Sequence, residues 1–425
     1  MFALSLALAA TLAAAQASTP PLTLDAAVDE ALVHNARLAA ERAAVAPLRQ
    51  RPAQAEALPP PMLEAQIWRW PLTSINPADV DMYMFSGRQD LPARGWREAA
   101  AAAARREADA AEQAVSVTAS DTAEAVAVAY ASLHVARRSR EVYASTLDAL
   151  RALGDASVAR YETATLGQGD VLKVVVELSR LEQDLIDLDE RERQAEVDLA
   201  VLLGRDPGHP IEALAPPAPP PAALDGARLA AAAEAQVPEL RAADARLAAA
   251  EARRDLAALE RKPTWSVSGG YMLMPGSAGA WSAGIGLSWP EAPWSRGRLE
   301  ALEAERSAEV RAEQARLTAL RQDVRAGVEH ALASVRAARA RVDLLRTTVL
   351  PQAEQTLEVS RIGYGAGQVA FLDVIDNQRV ELAATLDLIR AEGLVLTAAA
   401  RLERAVGAPL GAPAAIAALT AAREQ

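Results

Sequence analysis

The hydrophobic pattern changes character along the chain. Long stretches rich in Ala, Leu, Arg and Glu, strong helix formers, alternate with two short regions where apolar and polar residues alternate one by one. The pattern predicts helix over 24–58, strands near 62–71 and 80–90, helix over 97–163, a turn at Thr165–Gly169 and helix over 171–203. The same order then recurs: helix 224–260, strands 264–274 and 281–289, helix 298–362, a turn at 363–372 and helix 373–405. Pro351 falls inside the second long run and should kink it. In each half the two shorter helices together match the long one in length. At 1.5 Å per residue, each would measure about 100 Å, so the short pair can lie end to end beside the long one.

The recurrence extends to individual residues. Tyr161 and Asp170 lie nine positions apart, and so do Tyr364 and Asp373, at an offset of 203. Gly204 and Gly407 share that offset; Pro61 and Pro263 differ by 202, Arg97 and Arg298 by 201. Five landmarks in one order at nearly constant spacing mark an internal duplication. The first repeat covers 18–206 and the second 222–410. Between them, 207–221 holds seven prolines in fifteen residues and reads as an extended connector, and 411–425 forms a C-terminal tail.

Ten of the sixteen aromatic residues, including all seven Trp, fall within 62–96 and 264–294. The clearest strand is Trp281-Ser282-Ala283-Gly284-Ile285-Gly286-Leu287-Ser288-Trp289: one face carries Trp, Ala, Ile, Leu and Trp, the other Ser and Gly. Trp265, Val267, Tyr271 and Leu273 share a side of 264–274, whereas Glu64, Gln66 and Arg69 interrupt the first pair. Nine residues at about 3.3 Å each match the ~25 Å apolar band of an outer-membrane barrel, with Trp68, Trp70, Trp265, Trp281 and Trp289 as its aromatic girdle. Four strands cannot close a barrel, so their edges need further copies of the chain, and the pattern alone leaves the number of copies open.

Composition narrows the class. Without cysteine there are no disulfides, thiolate nucleophiles or Cys-ligated metals. A net charge of −12 argues against nucleic acid as a partner. Residues 1–17 read as a secretory signal peptide, an apolar run from Phe2 ending in Ala15-Gln16-Ala17. No other run is apolar enough for a membrane-spanning helix.

With these features in place, the chain resembles the TolC-like outer-membrane efflux family. The residues that carry the likeness are Tyr364, Gly367 and Leu372-Asp373-Val374-Ile375-Asp376-Asn377-Gln378-Arg379, the weaker copy Tyr161, Gly167 and Asp170-Val171-Leu172, and Leu202-Leu203-Gly204. The resemblance implies a mainly α protein with membrane β structure: a homotrimer sharing a twelve-stranded barrel in outer-membrane lipid, continued by a periplasmic α-helical tunnel. It also implies the exit duct of a tripartite pump, working with a periplasmic adaptor and an inner-membrane transporter, with no catalysis and no cofactor. The helix–turn–helix ends would form the tunnel's closing tip. There Tyr364, with Tyr161 as its first-repeat copy, would steady the closed state, and Asp373, Asp376 and Asp170 would line a constriction. Gly167, Gly169, Gly365 and Gly367 would make the turns. Val369 stands where the family archetype has an arginine, which removes any ionic latch at that position. Helix N-capping is the plainer reading of Asp170 and Asp373.

No enzymatic constellation accompanies this. His34, His134, His209 and His330 show no metal-binding spacing, and Gly363–Gly367 lacks both the preceding strand and the Lys-Ser/Thr of a phosphate loop. Five methionines, Met62, Met82, Met84, Met272 and Met274, lie in the strand segments. Thioethers suit Cu(I) or Ag(I), but lipid-facing or packing methionine is the plainer reading. Asp90–Gly95 is similar to heavy-metal branches of the family, so metal cations rank first among cargoes and small toxic compounds second. The competing architecture is a periplasmic coiled-coil adaptor or scaffold without a channel.

Overall fold

A computed structural model describes residues 20–76, 79–162 and 167–410. The proposed signal peptide, the C-terminal tail and part of the Thr165–Gly169 turn lie outside the described residues. Helices α1 (Leu24–His34) and α2 (Ala36–Glu56) lead into β1 (Met62–Trp68) and β2 (Met82–Leu91). Helices α3 (Trp96–Glu162) and α4 (Gln168–Leu203) complete the first repeat. The second repeat has α5 (Gly226–Gln236), α6 (Pro238–Leu259), β3 (Thr264–Leu273), β4 (Ala280–Ser288), α7 (Arg296–Leu344), α8 (Leu350–Gly365) and α9 (Phe371–Val406).

Two compact units cut across the repeats, each drawing segments from both. Among the described residues, one unit draws on 20–39, 118–237 and 323–410, and the other on 40–117 and 238–322.

In the first unit, each predicted opening helix is broken once, at Asn35 and at Val237, which hold extended ψ values of 122°. Against each break presses the glycine that ends the last helix of the same repeat. Gly204 (φ +73°) and Gly407 (φ +76°) are left-handed, the conformation in which glycine alone is unstrained. A Cβ on Gly204 would sit 2.3 Å from the His34 carbonyl oxygen, and one on Gly407 2.9 Å from that of Gln236. Asn35 donates its side-chain amide to the Leu202 carbonyl (2.9 Å). Arg205 then joins Glu30 and Glu212, both at 2.6 Å.

The Pro-rich segment turns at 207–209, forms no helix over 210–221, and is anchored. Leu214 bridges Leu22 in parallel, and Ile211 joins the core of Leu22, Val126, Tyr130, Leu133, Leu199 and Leu203. Tyr130 donates to the Leu22 and Ala215 carbonyls, satisfying its buried hydroxyl. Arg137 donates to the Ile211 and Glu212 carbonyls.

Just before Pro351, where a kink is expected, the helix carries a π-turn at Leu345–Val349, with Pro351 in the first turn of α8. Proline offers no N–H to the preceding turn, and Leu350 closes the wide turn by donating to the Leu345 carbonyl.

The second unit holds one antiparallel sheet in the order β1-β2-β3-β4, so the two repeats meet at the β2–β3 ladder. Its continuous registers assign every strand residue to a face. One face carries Leu63, Ala65, Ile67, Tyr83, Phe85, Leu91, Trp265, Val267, Tyr271, Leu273, Trp281, Ala283, Ile285 and Leu287, with Gln89 its single amide. The other carries Glu64, Gln66, Ser86, Arg88, Asp90, Thr264, Ser266, Ser268, Ser282 and Ser288. Glu64 and Gln66 therefore obey the alternation rather than interrupting it. Arg69 lies beyond β1, where a positive φ of 56° turns the chain.

Candidate functional site

Two regions hold the residues singled out from the sequence. The first is the sheet, whose apolar face is open in the single chain: Leu63 is 83% exposed, Trp281 81% and Ile285 77%. A contiguous apolar face this exposed needs an apolar neighbour. Trp265 and Trp281 stand near opposite ends of that face, Trp265 opposite Leu287 and Trp281 opposite Tyr271, whose rings lie 4.9 Å apart. Trp289 follows β4 directly and is exposed. Trp68 does not join them. The register puts it with Glu64 and Gln66 on the polar face, because the strand starts at Met62 and even-numbered residues point the other way. Trp70 lies in the β1–β2 connection, its indole N–H donated to the Ser74 carbonyl (2.9 Å).

Between β3 and β4 the polar face is built mostly from small groups. Ser266 and Ser268 of β3 occupy the space where Gly286 and Gly284 of β4 lack side chains; a Cβ there would approach the serine Oγ atoms at 2.3 and 2.8 Å. For the methionines the register removes the lipid-facing reading and leaves the packing one. Met62, Met82, Met84 and Met272 all fall on the polar face, not on the apolar one. Strands β1 and β4 each have one ladder edge unpaired among the described residues. Likewise, no described helix is long and apolar enough to cross a membrane.

The second region comprises the helix–turn–helix ends in the other unit. The α8–α9 turn is a Schellman closure: Gln368 N–H bonds the Gly363 carbonyl (2.8 Å), Gly367 N–H bonds that of Tyr364 (3.1 Å), and Gly367 is left-handed at φ +74°. Val369, at the position without the archetype's arginine, folds back on Gly363, where a Cβ would meet Val369 Cγ2 at 2.5 Å. An apolar contact thus occupies this position. Gly365 is the last residue of α8 and Gly169 lies in the first turn of α4, so neither is in a turn; Gly167 is the extended residue before α4.

Tyr364 stacks at a tilt on Phe371 (5.3 Å between centroids) beside an apolar cluster of Leu147, Leu150, Val174, Leu181, Ile375, Leu382 and Leu386. Tyr161 is 46% exposed and has no place in that cluster.

Neither Asp170 nor Asp373 is an N-cap. Their helices start earlier than expected, after Gly167 and Ala370, and both acids sit in the first turn, where they complement the helix dipole. Asp170 pairs with Lys173 (3.7 Å), while Asp373 and Asp376 are exposed. Asp376 is also paired: Arg379 bonds its Oδ1 at 3.1 Å and reaches across to both oxygens of the buried Glu177 on α4, Oε1 at 2.8 Å. The Arg379 guanidinium holds the Glu177 carboxyl below its ordinary value of 4.5, overcoming the opposing effect of burial. Asn377 bonds the buried Ser360 hydroxyl, and Arg361 bonds Gln378, both at 2.6 Å, tying α8 to α9. Neither Glu177 nor the Arg379 fork emerged from the sequence, since their pairing needs α4 and α9 side by side. The only available hint was their separation of 202, close to the repeat offset.

Long helices joined to a four-stranded antiparallel sheet are an architecture shared with solved outer-membrane proteins. The Vibrio cholerae outer membrane protein VceC is 19% identical, covering 91% of this chain and 96% of that one, with a TM-score of 0.72. The Neisseria gonorrhoeae outer-membrane channel MtrE is 19% identical over 91% and 89% (TM-score 0.75), and CusC 20% over 92% and 93% (0.74). The outer membrane efflux protein model matches residues 27–205 and again 229–408, and the chain belongs to that family. The family places it in the outer membrane. The cobalt-zinc-cadmium resistance protein CzcC of Cupriavidus metallidurans is 38% identical over 69 residues, 16% of either chain's length.

Proposed function

We propose that three copies of this chain close a twelve-stranded barrel and act as the passive exit duct of a tripartite efflux pump. A periplasmic adaptor and an inner-membrane transporter would deliver the cargo, and the chain itself performs no catalysis. The observation that carries this reading is the two-faced sheet with both edges open. Its exposed apolar face suits lipid, with Trp265, Trp281 and Trp289 toward the interfaces, and its serine- and glycine-lined face suits a wet lumen. Metal cations are the leading cargo, supported by the similarity to CzcC. Small toxic compounds rank second.

At the helix–turn–helix ends, threefold symmetry would turn exposed Asp373 and Asp376 into two acidic rings able to attract cations. The Arg379 fork moderates this at Asp376, leaving Asp373 the freer carboxylate of the two.

Extraction from outer-membrane fractions, mass measurement in detergent corrected for bound detergent, and conductance in planar bilayers test the reading together. A conducting trimer supports the duct. A water-soluble monomer or dimer overturns it in favour of the adaptor or scaffold. If Asp373→Ala combined with Asp376→Ala leaves cation block and ion selectivity unchanged, the acidic rings play no part in gating.

A further inference from the structure

All five methionines of the strand segments share the polar face or its continuation, and four of them gather at one corner. Met84 and Met272 are direct partners in the β2–β3 ladder. The register runs on through Tyr83 and Leu273, so the next step brings Met82 toward Met274, just past the end of β3. Cross-strand neighbours on one face have Cβ atoms about 5 Å apart, and diagonal neighbours stand about 7 Å apart, within reach of the long methionine side chain. All four residues are half-buried. The strand neighbours on either side of the central pair are Gln66 and Ala280, an amide and a methyl group, neither bulky nor cationic. The corner lies at the hairpin-loop end of the sheet, opposite the end where α2, α3, α6 and α7 attach. Met62 is at the attached end, opposite Arg88, and is separate from the group.

We propose that Met82, Met84, Met272 and Met274 form a thioether site for a soft monovalent cation, Cu(I) or Ag(I), on the lumen-facing surface of the sheet. Met82 lies opposite Trp68, whose indole gives it a packing neighbour, while Met84 and Met272 face each other with only Gln66 and Ala280 beside them on that face. Thioether sulfur is neutral and polarizable, favours d¹⁰ monovalent ions, and discriminates against Zn(II) and Co(II), which prefer imidazole and oxygen. No ligand proton has to leave, so binding is flat across neutral pH. Neutral ligands also hold a cation less firmly than thiolates would, which suits a contact that an exported ion must leave again. The placement of the site on an export path rests on the duct reading; the coordination itself does not.

The test uses the full-length protein in detergent, titrated with Ag(I) in chloride-free buffer. The chain has no cysteine, so no thiol competes for the ion. Calorimetry should show silver binding that weakens about tenfold or more in Met84→Leu combined with Met272→Leu, and stays unchanged in Met62→Leu. Zn(II) should not compete. In wild-type protein carrying ¹³C-methyl methionine, Ag(I) should shift the four corner methyl resonances and leave that of Met62 in place, a readout independent of how the variants fold. Silver affinity unchanged by the double substitution, or methyl resonances that do not move, overturns the site. Trimer mass and conductance are measured on the same samples. A trimer that ignores silver refutes the sulfur site alone, and silver binding by a chain that never forms a channel refutes the duct alone.

Discussion

The two ends of α4 and α9 have fared differently since the chain was duplicated. At their C-termini the repeats are near copies: Gly204 and Gly407, with φ of +73° and +76°, each pack against an opening helix broken at an equivalent residue. At their N-termini the copies diverge. Asp170 faces Lys173 in one, and at the same offsets Asp373 is exposed while Asp376 is held by Arg379 in the other. Glu177 is buried and paired, whereas its positional counterpart is the apolar, exposed Val380. Backbone geometry was kept where it locks the fold, and charge was rewritten where the helices turn.

The sharpest way to break this contrast is Gly204→Ala. It adds a Cβ in a left-handed residue, 2.3 Å from a backbone oxygen that cannot easily move. A loss of about 2–4 kcal/mol in thermal unfolding of the detergent-solubilised protein is expected. Gly407→Ala should cost less, since its nearest contacts are at 2.9 Å. An equal cost at both would mean that the left-handed φ, not the clash, dominates.

Next in size is Glu177→Gln. Removing one charge leaves Arg379 facing a buried neutral amide; with the guanidinium partly in solvent, a loss of about 1–3 kcal/mol is expected. Replacing Glu177 and Arg379 together by Met should recover much of it in a double-mutant cycle. Acid titration supplies a related and smaller effect. The Glu177 carboxyl sits below 4.5 in the folded chain, so its contribution is complete at neutral pH. It should fade only as pH falls from about 4.5 through the lowered value, and Glu177→Gln should flatten that part of the stability profile.

The smallest expected change tests the rewritten charge itself. In planar bilayers, Asp376→Asn should lower cation preference and Lys173→Gln should raise it, each by less than about threefold in the permeability ratio. Shifts in the same direction would mean that the two positions do not act through charge.

Much of this was legible in the chain before any fold. The repeat offsets, the proline connector and the Ser/Gly face of 281–289 are local patterns, and the structure keeps them. The break at Val237 is legible, since Pro238 disfavours helix at the residue before it, whereas that at Asn35 is marked only by two weak helix formers, His34 and Asn35. The faces of β1 are hard to see in sequence because Glu64 and Gln66 look like interruptions until Leu63, Ala65 and Ile67 are set on the opposite side. Trp68 falls on the polar face for the same reason: parity counts only once a strand's first residue is known. Asp170 and Asp373 look like caps because acids begin helices, yet Gly167 and Ala370 adopt the extended cap conformation without any side-chain acceptor. The Glu177–Arg379 fork joins positions 202 apart in sequence, beyond any local rule.

The wide turn at Leu345–Val349 bears on how the two copies parted. Between Arg97 and Tyr161 the first repeat spends two residues fewer than the second spends between Arg298 and Tyr364. An added residue in a long helix would rotate everything downstream by about 100° and carry the buried stripe around to the wrong side. A hydrogen bond reaching five residues back instead of four takes up one such addition locally. The bulge is therefore a seam, marking where the lengths of two once-equal rods stopped agreeing and the fold absorbed part of the mismatch.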